Sequence, residues 1–251
     1  MKIDMKTVDF NKNGIAGVQL YACPGMPFCK NEIFRYAGCG NMNECAIMRD
    51  VTESEKSMEA DGTLGTLLEE CIREAEEQLN YRLCYSILPV RVSGANCDFD
   101  AFRLRSQNLA KYLNGCESVI LFAATVGVGL DRLIAKYSRI SPSKALMFQA
   151  IGAERIEALC DTFCEDMREK CASVKKARFS PGYGDLPLTV QKDIFVVLDC
   201  ARKIGLTLND SLLMSPTKSV TAIVGIGGNE RETIHKCSTC SLQDCAFRGV
   251  K

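Results

Sequence analysis

The chain has 251 residues, of which 47% are hydrophobic and 25% are charged, the balance of an ordinary globular protein. Basic and acidic residues number 31 each, so the formal net charge is zero, which argues against a large electrostatic footprint for nucleic acid. The longest apolar run, residues 119–130, is too short to span a bilayer. Residues 1–14 are polar and contain no signal-peptide core. These features predict a cytoplasmic protein that binds neither nucleic acid nor membrane.

The chain contains 15 cysteines, which is many for its length. Their odd number and the missing export signal argue against a framework of disulfides. Cys71, Cys160 and Cys164 recur on apolar helix faces, where a free thiol behaves as a small hydrophobic group. The remaining cysteines of interest lie near the two ends of the chain.

Hydrophobic periodicity predicts three parts along the chain. Residues 1–60 form an irregular, cysteine-containing N-terminal region with a short helix near 31–36. Residues 61–228 form an α+β domain, in which a mixed or antiparallel sheet has flanking helices. Residues 229–251 form a polar, cysteine-rich tail.

The predicted elements of the domain follow in chain order. Helices are expected at residues 64–79, 102–113, 130–137, 142–171 and 188–203, and strands at 81–87, 118–125, 211–214 and 219–226. The last two strands are expected to form a hairpin around residues 215–218, which favours an α+β fold over a doubly wound parallel sheet.

A short glycine motif, Gly127-x-Gly129, separates a predicted strand from a predicted helix. That context is typical of a dinucleotide-binding loop. However, Arg132 stands at the third glycine position, and no parallel βαβ unit is evident. The motif therefore favours a tight strand-to-helix turn over a nucleotide site.

Residues 178–187, Arg-Phe-Ser-Pro-Gly-Tyr-Gly-Asp-Leu-Pro, read as a rigid loop that carries one fixed cation. Glycine permits unusual backbone conformations, and proline restricts φ. Arg178 offers a planar fork of donors suited to a carboxylate or phosphate, and Tyr183 adds an apolar ring with a polar tip. The loop is therefore a candidate ligand site, although a plain surface connection would have the same composition.

A second candidate site is Cys237-x2-Cys240-x4-Cys245. Thiolates grouped this closely bind zinc or an iron–sulfur cluster, but three ligands are not a full set. Ligands that could complete the set are Cys23, Cys29, Cys39, Cys45 and His235. Free thiols in the tail remain the alternative.

The loop and the residues after it resemble the reactivation domain of cobalamin-dependent methionine synthase in its stand-alone form. That family carries an Arg-x-x-x-Gly-Tyr loop, then a helix, then a hairpin with proline in its turn. The matching positions are Arg178, Gly182, Tyr183, Pro187, the helix at 191–205, residues 211–216, and Ser219-Val220. Residues 123–132 are similar to a segment of stand-alone relatives, and the resemblance covers about residues 31–227.

The resemblance implies binding of S-adenosylmethionine, with Arg178 holding the methionine part and with Gly182 and Tyr183 shaping the pocket. It implies a reactivation subunit that docks on the cobalamin-binding module of a partner methionine synthase. There the cob(II)alamin is reduced by a donor such as flavodoxin or ferredoxin and is then methylated. Such chemistry needs no catalytic residue from this chain, because the cofactor and the sulfonium donor carry it.

Two alternatives to this function stay open. The first is a metal or iron–sulfur protein that serves a corrinoid protein in electron transfer or assembly and binds no S-adenosylmethionine. The cysteine clusters motivate it, as does the absence of tyrosine from residues 225–235, where the family carries a pair. The second is an activator of another corrinoid methyltransferase.

Overall fold

A computed structural model of the chain describes residues 17–38, 56–175 and 177–227, and for residues 56–63 only the helical backbone. Its strands are β1 (Gln19–Leu20), β2 (Arg82–Pro89), β3 (Arg91–Ser93), β4 (Asn96–Asp98), β5 (Arg103–Arg105), β6 (Cys116–Thr125), β7 (Thr207–Leu208), β8 (Met214–Ser215) and β9 (Ser219–Gly227). Its helices are α1 (Lys30–Tyr36), α2 (Lys56–Glu76), α3 (Gln107–Tyr112), α4 (Gly129–Ile140), α5 (Pro142–Lys170), α6 (Val190–Leu198) and α7 (Cys200–Ile204).

The centre of the fold is a four-stranded antiparallel sheet with the strand order β1-β2-β6-β9. Its middle strand β6 is apolar on both sides because both faces of the sheet are covered. Ile120, Phe122 and Ala124 face one core, and the alternate residues Leu121 and Ala123 face the other. The predicted α+β fold, with an antiparallel sheet and flanking helices, is confirmed.

Helices α1, α2, α4 and α5 cover one face of the sheet, and α3, α6 and α7 cover the other. The long helix α5 lies at the centre of the first core. There Phe163 contacts the rings of Tyr21, Tyr85 and Phe122, with centroids 5.1, 5.2 and 5.1 Å away. Strand β1 pairs with β2 in the central sheet, and α1 contributes Ile33 and Phe34 to the first core. The division of the chain at residues 60 and 228 stays a prediction.

The predicted helices at 64–79 and 130–137 are present with other bounds, and two further ones begin later or are divided. The helix expected at 102–113 begins only at Gln107, because Arg103–Arg105 form a strand that pairs with β4. Ser106 then caps α3, its hydroxyl accepting a hydrogen bond from the Leu109 amide. The helix expected at 188–203 is interrupted at Asp199, whose φ of 50° is left-handed. Asp tolerates this conformation better than most residues, so α6 ends there and α7 begins.

The predicted hairpin of residues 211–214 and 219–226 is wrong. Strand β8 pairs with β7, and β9 pairs along its length with β6. The turn between them is tied to α4, because Asp131 accepts hydrogen bonds from the Thr217 amide at 2.8 Å and from the Thr217 hydroxyl at 2.5 Å. The chain therefore crosses to the central sheet instead of folding back on β8.

Candidate functional site

The loop at residues 178–187 is fixed to the central sheet at its beginning. Phe179 forms an isolated antiparallel bridge with Ile223 of β9, in which the Phe179 amide donates at 2.9 Å and the Ile223 amide donates back at 2.8 Å. Within the loop, the Gly182 amide donates to the Leu186 carbonyl at 2.9 Å, and Leu186 is buried. The rigidity expected from the composition is therefore present as specific hydrogen bonds.

Arg178 lies against α5 between two carboxylates. Its guanidinium donates to Glu157 through Nη2 and to Asp161 through Nη1, and these two acidic residues are one helical turn apart. The Arg178 side chain is only 9% exposed, whereas those of Glu157 and Asp161 are 41% and 70% exposed. The cluster of Arg178, Glu157 and Asp161, here called the open cluster, thus combines a buried cation with accessible carboxylates.

The surroundings of Arg178 keep it charged. Burial alone lowers the pKa of a guanidinium, but the negative charges of Glu157 and Asp161 raise the pKa of Arg178 above its ordinary value. Burial raises the pKa of the Cys160 thiol far above its usual range, so this thiol stays neutral near pH 7. The charges of the open cluster are therefore one guanidinium and two carboxylates.

Gly182 and Tyr183 lie at the tip of the same loop. Gly182 has a φ of 91°, a backbone conformation that L side chains rarely adopt. Tyr183 is 45% exposed, and its ring lies edge-on to that of Phe179, with the centroids 6.3 Å apart. Phe179 in turn packs against Tyr112, at 5.6 Å. The structure therefore brings all three predicted site residues onto one fixed loop.

Asp185 and Gly184, which the sequence did not single out, attach the loop tip to α3. The Asp185 carboxylate accepts hydrogen bonds from the Ser106 hydroxyl and from the amides of Gln107 and Asn108, the last two at 2.7 and 3.1 Å. These bonds, led by that of Ser106, lower the pKa of Asp185. Gly184 has a φ of 56°, and a Cβ there would lie 2.1 Å from Asn108 Nδ2. An acidic residue beside a glycine, just before a predicted helix, is the only sequence signal for this attachment.

Tyr36 is the last residue of α1, a helix that packs on α5. Tyr36 is half-buried, and burial followed by the negative charge of Glu157 raises its pKa. The Arg35 guanidinium carbon lies 4.4 Å from the centroid of the Tyr36 ring. Periodicity places Tyr36 on a short helix without indicating what that helix faces.

A model of the family described as vitamin B12-dependent methionine synthase, activation domain, matches residues 105–248. The chain belongs to this family. The match spans more than half of the 251 residues and includes the whole loop at 178–187 together with Glu157 and Asp161. The resemblance inferred from Arg178, Gly182 and Tyr183 is thereby confirmed at the level of the family.

The fold is similar to that of a crystal structure of the MetH reactivation domain bound to AdoHcy. The TM-score is 0.54 at 16% sequence identity, and the similarity covers 86% of this chain and 80% of that one. At this identity the likeness shows the fold alone. No curated protein matches the chain significantly.

The motif Gly127-x-Gly129 forms the tight turn that its sequence favoured. A Cβ on Gly129 would lie 2.3 Å from the carbonyl oxygen of Gln78, so the turn is packed against backbone. A cavity of about 250 Å³ adjoins the turn, and its lining includes Asn80, Arg82 and Thr125. The cavity lies at the end of β6, where Thr125 pairs with Ser219 of β9, whereas Phe179 bridges to Ile223, four residues further along β9. Arg178 is not part of the cavity lining.

The predicted metal ligands are not brought together in the part of the chain that the structure describes. Cys237, Cys240, Cys245, Cys39, Cys45 and His235 lie outside the described residues. Cys23 is half-buried and Cys29 exposed, and both are free thiols. Within the described ranges no group of three His, Cys, Asp or Glu side chains could hold a metal ion, and no helix could cross a membrane. Metal binding by the tail cysteines stays a prediction.

Proposed function

We propose that the chain binds S-adenosylmethionine at the open cluster and reactivates a cobalamin-dependent methionine synthase, as a subunit separate from the cobalamin module. The observation that carries the proposal is the buried Arg178, held between Glu157 and Asp161 on a fixed loop inside the family match. The fold likeness to a reactivation domain bound to AdoHcy, the product of methyl donation, supports the same ligand class.

The charges of the open cluster suit this ligand. S-adenosylmethionine carries one carboxylate, one ammonium and one sulfonium, which sum to one positive charge. Arg178, Glu157 and Asp161 sum to one negative charge. A guanidinium grips a carboxylate through two parallel hydrogen bonds, and the two acidic side chains offer acceptors for the ammonium and a favourable field for the sulfonium.

Binding requires the ligand carboxylate to share Arg178 with carboxylates that already contact it. Asp161 is the more exposed of the two, so water can replace Arg178 as its partner at little cost. Glu157 is more enclosed and remains beside the guanidinium. We therefore expect Asp161 to give way to the ligand carboxylate, while Glu157 stays to accept the ligand ammonium.

The chain's contribution to the reaction is binding and orientation. Cobalamin, which the partner module would carry, would supply the reducible metal that takes up the methyl group, with the electron from an external donor such as flavodoxin or ferredoxin. In methyl transfer the S–CH3 bond breaks and its electron pair stays on sulfur, so no proton has to move. The residues of the open cluster need only fix the methionine part, so that the methyl group faces the partner.

Equilibrium binding of S-adenosylmethionine tests the ligand assignment. The wild-type chain is expected to bind, and Arg178→Met is expected to lose at least tenfold in affinity, because a charge-assisted carboxylate grip contributes about 1.5–3 kcal/mol. Arg202→Met, which removes an exposed arginine paired with Asp199, is the matched control and should bind like wild type. A wild-type chain that binds no S-adenosylmethionine, alone or with a corrinoid methionine synthase, would refute the proposal.

The partner and the tail need separate measurements. Reactivation of a methionine synthase, compared with that of another corrinoid methyltransferase, decides which of them the chain serves. Anaerobic purification followed by iron, sulfide and zinc analysis tests whether Cys237, Cys240 and Cys245 hold a cluster or zinc. A metal-loaded chain that does not bind S-adenosylmethionine would instead favour an electron-transfer or assembly factor.

A further inference from the structure

The cavity beside the Gly127 turn is a concave site apart from the open cluster, none of whose three residues lines it. The ends of several elements enclose it: Asn80 precedes β2, Thr125 ends β6, Ile204 ends α7 and Ser215 ends β8. Its volume of about 250 Å³ is smaller than the roughly 300–1,000 Å³ of pockets for drug-sized ligands. The cavity therefore suits a small molecule and not a whole dinucleotide.

Arg82 gives the cavity a cation that no carboxylate neutralises. Within the described ranges Arg82 forms no ion pair, and its side chain makes one long hydrogen bond, from Nε to Asn80 Oδ1 at 3.4 Å. Arg82 Nη1 lies 3.7 Å from the position that a Cβ on Gly205 would take, so the guanidinium lies against the wall formed by the end of α7. No aspartate or glutamate is among the described residues that line the cavity. The site is therefore positively charged, with the N–H groups of both Nη atoms available to a ligand.

Three neutral side chains of the lining add hydrogen-bond donors from other directions. Asn80 accepts from Arg82 through Oδ1, which leaves its amide nitrogen available to donate. The Thr125 hydroxyl accepts from the Gly127 amide at 3.2 Å and donates to no other described residue. The Ser215 hydroxyl forms no hydrogen bond within the described ranges. The cavity thus offers an anion both a charge and donors on several sides.

A phosphoryl group fits this arrangement better than a carboxylate does. Its terminal oxygens are arranged tetrahedrally and accept hydrogen bonds from several directions. A carboxylate has two oxygens in one plane, and a single guanidinium can satisfy both of them. The rest of the lining includes the apolar side chains of Val128, Ile204 and Pro216, which can contact a short carbon chain. These features indicate a phosphate ester with a small organic part.

We propose that the cavity binds the phosphoryl group of a small phosphate ester, with Arg82 as its main contact. This is a second site, and it does not depend on binding of S-adenosylmethionine at the open cluster. Thr125 at the cavity pairs with Ser219, whereas the loop that carries Arg178 bridges to Ile223. Four residues of β9 separate these two positions by about 13 Å, so both sites can be occupied at once.

The test is a titration of the isotope-labelled full chain with methyl phosphate, followed by amide NMR at an ionic strength held constant with sodium chloride. The amide signals of Gly127 and Gly205 are expected to shift with a saturable Kd of about 1 mM or tighter, and those of residues 178–187 should not shift. Arg82→Met is expected to weaken binding at least about tenfold, because a hydrogen-bonded charge is lost. Arg105→Met, which removes another exposed arginine, is the matched control and should bind like wild type.

Three results would overturn the proposal: shifts that do not saturate, shifts confined to residues 178–187, and equal affinity of Arg82→Met and wild type. Acetate, titrated in the same way, is expected to bind at least about fivefold more weakly than methyl phosphate, and equal binding would overturn the assignment of a phosphoryl ligand. If Arg82→Met does not fold, Ser215→Ala takes its place, with an expected loss of about three- to tenfold. An unchanged affinity in that variant would likewise count against the site.

Discussion

Two arginine–carboxylate clusters lie one after the other along α5, and they differ in how water reaches them. Arg155 and Glu154 form a closed cluster, with side chains 0% and 5% exposed, in which Arg155 also donates to the carbonyls of Met26 and Pro27. In the open cluster, Arg178 is almost as buried, but the carboxylates of Glu157 and Asp161 reach solvent. A ligand can exchange with the two carboxylates of the open cluster and not with the one carboxylate of the closed cluster. Exposure of the anions, more than burial of the cation, therefore distinguishes a binding site from a structural clasp.

The largest expected effect comes from breaking the closed cluster. Arg155→Met leaves the buried Glu154 carboxylate without its charged partner, and such losses typically cost about 3–5 kcal/mol of unfolding free energy. Arg178→Met is the matched variant, and we expect it to cost only about 1 kcal/mol because water can solvate its exposed partners. Urea unfolding of both variants measures the difference. Equal losses would remove the distinction between the two clusters.

The next effect concerns the backbone that presents Arg178. Gly184→Ala places a Cβ at a positive φ and against Asn108, and we expect it to destabilise the chain by about 1–3 kcal/mol. Gly65→Ala, at a helix position with open space for a Cβ, is the control and should not destabilise. Thermal unfolding compares the two variants. An unaffected Gly184→Ala would show that the loop tip can move away from α3.

Stability measured as a function of pH isolates the contribution of the Asp185 charge. The folded-state pKa of Asp185 is lowered, so its contribution to stability is present above the unfolded value of about 3.9 and is lost as pH falls through the lower folded value. Asp185→Asn should therefore be less stable than wild type at pH 7, and the difference should shrink below about pH 4. The exposed Asp210→Asn serves as the control in the same urea titrations. A difference that does not depend on pH would contradict the assigned role of the carboxylate.

Much of the fold was predictable because periodicity is strong where helices and strands pack on a core. The stripe on α5 and the apolar run of β6 are of this kind, and the structure confirms both elements. The separation of β8 from β9 was not predictable, since it depends on the distant contact of Asp131 with Thr217. Hydrophobic periodicity also does not indicate which other strand a given strand pairs with.

The site was predictable only in part. The loop motif identified Arg178, Gly182 and Tyr183, because glycine, proline and arginine at those spacings carry a local signal. Glu157 and Asp161 carry no such signal. On sequence alone they are acidic residues on the polar side of a long helix, which is the usual pattern of a solvated face. Only the tertiary contact with Arg178 distinguishes them from the other acidic residues of α5.

The smallest expected effect bears on the outer carboxylate of the open cluster. Asp161 is 70% exposed, and an exposed ion pair usually contributes less than about 1 kcal/mol. Asp161→Asn should therefore change the free energy of unfolding by no more than a few tenths of a kcal/mol. The comparison is Asp166→Asn, another substitution on α5, which alters the hydrogen bond that Asp166 accepts from Tyr21. It should cost more stability, because Tyr21 packs on Phe163 in the core. Urea unfolding resolves the two. If Asp161→Asn cost more than Asp166→Asn, Asp161 would be a structural partner of Arg178, and it could not give way to a ligand carboxylate as the proposed mode of binding requires.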